Sequence, residues 1–121
     1  MTEKLIVWVG SALEDLRGFP PDARRRAGLE LLTVQRGGVP SSWKPMPSVG
    51  AGVIEIRIST GQEHRVLYVS KFEEAIYVLH AFEKKTQKTS RHGIQLGANR
   101  LADVLLHRMR TSRKTGGDRN E

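Results

Sequence analysis

Three strand-like runs follow one another with barely a break between Val53 and Phe82, and they restrict the fold more than any other part of the chain. Val53–Ser59, His64–Ser70 and Ala75–Phe82 are rich in β-branched and aromatic residues. Thr60-Gly61-Gln62 and Phe72-Glu73-Glu74 are too short to hold a crossover helix, so both are expected to be turns between antiparallel neighbours. The outcome is a meander. In its first strand Ile54, Ile56 and Ile58 alternate with Glu55 and Arg57, which predicts one buried and one polar face.

The flanks supply helices. Lys4 to Val9 (KLIVWV) reads as a strand ending at Gly10, and Ser11 with Glu14 has the spacing of a capping box. A short helix through Leu13 and Leu16 is expected to stop at Gly18. Pro20 and Pro21 then open a second helix, since proline loses nothing in a first turn. Ala23, Ala27, Leu31 and Val34 share one face of it, Arg24 to Arg26 lie off that face, and Gly37-Gly38 ends it. Residues 39–52 are rich in proline and glycine and read as a loop. From Ser90 a third helix presents Ile94, Ala98, Leu101, Leu105 and Met109 on one stripe. Gly93 and Gly97 weaken it by about 1 kcal/mol each against alanine. The predicted order is β-α-α-β-β-β-α, an α+β fold with a small antiparallel sheet and helices on one face.

At 121 residues the chain fits one domain. That domain is expected over 1–109, followed by a basic flexible tail over 110–121 (RTSRKTGGDRNE) that has no apolar residue to bury. The absence of cysteine excludes disulfides, iron–sulfur clusters and cysteine-based zinc sites. No apolar run is long enough to span a membrane, and Met1–Gly10 resembles a strand rather than a signal peptide, so a cytoplasmic protein is expected. His64, His80, His92 and His107 lack metal-ligand spacing. Walker, Rossmann and G-x-S-x-G spacings are also missing, so neither metal nor cofactor is expected.

Charge points to a partner. The net charge is +7, which suits a polyanion such as nucleic acid. The last 31 residues carry seven basic and three acidic side chains, so over half of the excess lies there. The remaining interest lies on the meander. Arg57 extends from the polar side of its strand, Arg65 opens the next, and Lys84-Lys85 follow the third. Thr86, Lys88 and Thr89 continue the polar run, while Tyr68 and Phe82 offer rings on which a base could stack. Arginine forks grip phosphate at two points, and lysines act as compact charges. Such a surface suits single-stranded RNA. It can also cleave RNA without a metal, because the 2′-hydroxyl is the nucleophile and the protein need supply only a base, an acid and positive charge.

The runs WVGSALEDLRGFP, KPMPSVGAGVIEIR, HRVLYV and YVLHAFEKKTQKT closely resemble the phage-derived HigB-like branch of the RelE/ParE toxin superfamily, with spacing kept from Trp8 to Met109. The resemblance implies a microbial-ribonuclease-like fold and the toxin of a type II toxin–antitoxin module. Its activity would be metal-independent endonucleolytic cleavage of mRNA on the ribosome. The implied partner is a helix-turn-helix antitoxin that covers the toxin, with operator DNA contacted only through it. Residue by residue, Arg57 in E-I-R and Arg65 in R-V-L-Y resemble the phosphate-binding and catalytic arginines. Lys84 and Lys85 resemble the lysines of proton transfer and charge stabilisation, and Phe82, Thr86 and Lys88 would line the same groove. Several ribonuclease members use a Tyr or His near the C-terminus. Here no aromatic residue follows Phe82, so the acid and base roles stay open. Two alternatives share these residues: a non-catalytic phage-derived RNA- or protein-binding module, and a gyrase-directed toxin.

Overall fold

A computed structural model describes the backbone of residues 3–119 and the side chains of residues 3–112. The elements run β1 (Ile6–Trp8), α1 (Ala12–Arg17), α2 (Pro21–Gln35), β2 (Trp43–Pro45), β3 (Val53–Ser59), β4 (Glu63–Val69), β5 (Ile76–Glu83) and α3 (Arg91–Arg119). The class is α+β, as the sequence predicts. The five strands lie in the order β1-β5-β4-β3-β2. β3, β4 and β5 form the expected meander, and Gly61, at φ +93°, closes the first hairpin.

Two details of the sheet depart from expectation. β1 joins parallel to β5, so the sheet is mixed rather than wholly antiparallel. Within the expected loop, Trp43–Pro45 pairs with Ile54–Ile56 as an extra edge strand. An edge tolerates proline because only one side of the strand needs its N–H groups.

The helices cover both faces, not one. On the first face, α1 and α2 bury Ala12, Leu16, Ala23, Ala27, Leu31 and Val34 against Ile56, Ile58, Val66, Tyr68, Ile76 and Val78. On the second, α3 and the 46–49 segment pack Leu101, Val104, Met46 and Val49 against Val53, Leu67, Val69, Tyr77 and Leu79. Alternation along β4 explains the division, since Val66 and Tyr68 face one layer and Leu67 and Val69 the other. β3, read as half polar, is likewise covered on both faces from Val53 to Ile56, and only Arg57 and Ser59 are exposed.

The third helix is shorter in its contacts than its stripe suggests. Leu101 and Val104 are buried, whereas Leu105 and Met109, on the stripe the sequence predicts, are exposed. The covered face of the helix follows Gly97, Leu101, Val104 and Arg108, which turns Leu105 and Met109 aside. Gly97 is what lets it approach so closely: a Cβ there would lie 3.0 Å from Val49 and 3.2 Å from Leu67. The tail expected over 110–121 falls mostly outside the described side chains, and the α3 backbone continues to Arg119.

The capping box does not form. Ser11 donates instead to Asp15 Oδ2 (2.7 Å) and accepts from Arg100 Nη2 (3.0 Å) of α3. Gly10, at φ +57°, leaves room for that guanidinium. At its far end α3 is tied by Arg108, which donates to both oxygens of Glu74 (2.6 and 3.2 Å) and lies over the Phe72 ring. The Arg108 bonds, with help from Tyr77, hold the Glu74 carboxyl at about 2 against an ordinary 4.5. A depressed carboxyl pKa contributes stability above its unfolded value and loses it as pH falls toward the folded value. Thermal melts from pH 5 down to 2 are thus expected to show a falling midpoint, and Arg108→Gln to flatten part of that slope. An identical slope in the variant would remove this tie from the list of contributors.

Candidate functional site

β3 and β4 place Arg57 and Arg65 directly opposite each other on the face that α3 only partly covers. Two like charges in that position repel unless a counter-charge intervenes. Here it does. Arg65 is nearly buried, with its side chain 8% exposed, and its Nη1 donates to Glu63 Oε1 and to the His64 carbonyl, both at 2.9 Å. Its Nε lies 3.6 Å from Glu55 Oε1. Arg57 is exposed and makes no ion pair among the described residues. One arginine is held by the protein and the other stands open to solvent.

Lys84 stands one residue beyond β5, where its N–H donates to the Glu63 carbonyl (2.7 Å) and extends the ladder. Burial lowers its pKa, and the charges of Arg65, Lys44 and Arg57 push it further down while Glu55 opposes them. Clustered cations disfavour one another's protonated forms, which brings an amine closer to useful proton transfer near neutral pH. Glu63, Arg65, Lys84, Lys85, Thr86 and Gln87 line a shallow cleft of about 430 Å³. Lys85 and Thr86 are exposed, and the Thr86 hydroxyl donates to the Lys88 carbonyl (2.7 Å), turning the loop back on itself. Lys88 is exposed and stands outside the cleft lining.

Of the two rings, one is in place. Phe82 is the register partner of Arg65, half-buried and stacked on His80 with centroids 4.7 Å apart. It forms one wall of an adjoining cleft with Phe19, His64 and His80. Burial, assisted by Arg100, pushes His80 down to about 4, so this ring is neutral at pH 7. Tyr68 is not in the groove. It is 3% exposed within the α1/α2 layer, on the opposite face, and burial raises its hydroxyl to about 12. Parity along β4 separates it from Arg65, and no base can reach it there.

Two participants, Glu55 and Lys44, are not evident from the sequence. Glu55, assigned to a polar face, is fully buried. Its Oε2 accepts from the Thr89 hydroxyl (2.8 Å), and Oε1 faces Arg65 and, at 3.9 Å, Lys44. Lys44 sits on the unexpected strand β2, opposite Glu55. The available signal was parity, because an E-x-R spacing puts Glu55 on the same face as Arg57. A larger cavity of about 750 Å³ lies elsewhere, between Lys4–Leu5, the end of α2 and Ser70. Its cations are already engaged, Arg36 with Glu3 and Lys4 with the Ser70 carbonyl, so it offers no free charge to a polyanion.

Among the described residues no group of three His, Cys, Asp or Glu is placed to hold a metal ion, and no helix is long and apolar enough to cross a membrane. A family model described as phage derived protein Gp49-like (DUF891) matches residues 14–102, a stretch that contains every residue of the groove. No curated protein matches the chain.

Proposed function

Since the chain belongs to the phage-derived Gp49-like family, and its motifs resemble those of HigB-like toxins, we propose that it is the toxin of a type II toxin–antitoxin module and cleaves mRNA. The observation that carries this function is the convergence of Arg65, Lys84 and Lys85 on one cleft, with Arg57 opposite Arg65 and the Lys84 ammonium disfavoured. A lysine held among arginines in a cleft is placed for proton transfer to and from a bound phosphodiester.

In this mechanism the RNA 2′-oxygen attacks the adjacent phosphorus, its proton leaves to a base, and the 5′-oxygen departs with a proton from an acid. The products are a 2′,3′-cyclic phosphate and a 5′-hydroxyl. Arg57 and Arg65 bear on the pentacoordinate phosphorane as charge builds on its oxygens. Lys84 is the group best suited to exchange a proton, Lys85 adds charge from the rim, and Phe82 offers its ring to a base beside the scissile bond. An antitoxin that inhibits this chemistry has to cover the cations, which favours an acidic or amphipathic segment.

Expression with and without a candidate helix-turn-helix antitoxin, followed by mapping of transcript ends, tests the proposal. New ends within coding regions are expected when the protein is expressed alone, and their disappearance when its antitoxin is present. Codon-phased ends would indicate cutting on the ribosome. Growth arrest with intact transcripts and broken DNA would overturn it in favour of gyrase. Intact transcripts with retained RNA binding would favour the non-catalytic module.

A further inference from the structure

Among the described residues Glu55 is the carboxylate buried beneath the basic groove, and it links β2, β4 and the loop before α3. It belongs to β3 and is fully buried. It accepts from Thr89, the second residue before α3, at the end of the loop that carries Lys84 and Lys85. Its other oxygen faces Arg65 of β4 and Lys44 of β2 at 3.6 and 3.9 Å. Neither that oxygen nor Arg65 Nε has a hydrogen-bond partner, so charge alone links these two atoms, while Arg65 Nη1 is bonded separately to Glu63 and the His64 carbonyl. With no exposed surface Glu55 cannot touch RNA. From this arrangement we infer that Glu55 is the positioning residue of the groove: it holds the Arg65 guanidinium in place and pins the Lys84–Thr89 loop to the sheet, so that arginine and lysines present one anion site. The inference rests on the ribonuclease function proposed above for its catalytic consequence, but not for its structural one.

Electrostatics adds a second consequence. The charged groups that bear on Lys84 are Glu55 and Arg57 from β3, Arg65 and Glu63 from β4, and Lys44 from β2. Glu55 is the strongest of those favouring the ammonium. Removing its charge leaves Lys84 among cations and moves its titration to lower pH.

Glu55→Gln keeps the shape, and its amide oxygen can still accept from Thr89, so it removes mainly the charge. Thr89→Val keeps the charge and removes the loop tie. Cleavage of a translated message in a cell-free system is expected to lose about 10²-fold in kcat with Glu55→Gln, as misplacement of a reacting group does, with KM nearly unchanged. The limb of its pH profile that reports Lys84 moves acidward. Thr89→Val should lower kcat with that limb unmoved, and speed amide exchange over residues 84–90. A folded Glu55→Gln protein with the parent kcat and pH profile would overturn the inference, as would a loss confined to KM. If Glu55→Gln does not fold, Thr89→Val decides: slower cleavage at an unchanged melting temperature supports the inference, and the parent rate overturns it. If the parent itself cuts no RNA, the ribonuclease proposal fails separately. NMR titration of isotope-labelled Lys84 then tests Glu55 by itself: a lower midpoint in Glu55→Gln supports its role, and an unmoved midpoint overturns it.

Discussion

Replacing Lys84 and Lys85 together by alanine is expected to abolish mRNA cleavage while leaving the fold intact. Loss of a positioned proton donor or acceptor costs about 10²–10⁴-fold, and loss of two charges from the cleft adds to it. Lys85 is exposed, and Lys84 lies just past the end of β5 with only its backbone in the ladder. Alanine retains that N–H, so the bond to Glu63 survives. Surface charges of this kind contribute little to stability, and the melting temperature should stay close to the parent's. Relief of repulsion with Arg65, Arg57 and Lys44 can even raise it slightly. Thermal melts beside cleavage rates check both halves. A folded double variant that cut at the parent rate would dissociate the lysines from the chemistry.

The arginines should behave differently from each other, although the sequence presents them as a pair. Arg57 is exposed, so Arg57→Ala is expected to lower cleavage by about 10²–10³-fold, the effect of losing one transition-state donor, at little change in stability. Arg65→Ala leaves Glu55 buried beside an empty space and takes the arginine from Glu63, which keeps only its Ser59 bond. Breaking one side of a buried ion pair typically costs about 3–5 kcal/mol, which a domain of marginal stability barely tolerates. Arg65→Ala should therefore lose cleavage and also melt many degrees lower. Combining it with Glu55→Met removes both charges and should recover much of the stability but none of the activity. Parallel urea titrations of the two arginine variants measure the contrast. Equal stability losses would mean that Arg65 is not the held member of the pair.

The difference between these arginines marks where the sequence stops being informative. Parity along β3 and β4 is legible, and it places Arg57 and Arg65 on one face and predicts the hairpin that pairs them. The inward stripe of α2 is legible for the same reason, since Ala23, Ala27, Leu31 and Val34 recur at helical spacing and are all buried. Tyr68 went astray because a ring near Arg65 in sequence is not near it in space: adjacent-face parity puts three strand residues on two sides of a sheet. Leu105 and Met109 continue the apolar stripe, but the face of α3 that meets the rest of the protein follows Leu101, Val104 and Arg108 instead, and periodicity alone does not fix which side of a helix is covered. Glu55 and Thr89 are 34 residues apart, and only the closed sheet brings the loop before α3 back over β3. Lys44 depends on β2, a three-residue edge strand containing a proline, which local propensity cannot distinguish from a loop.

The chemistry of the new RNA ends tests the proposed mechanism most directly. A message translated in a cell-free system with the purified protein should yield fragments bearing 5′-hydroxyl termini and 2′,3′-cyclic phosphates, because the 2′-oxygen displaces the 5′-oxygen without water entering. The Lys84→Ala/Lys85→Ala protein should yield none. Fragments with 5′-phosphate ends, or an intact message in the presence of active, folded protein, would contradict it.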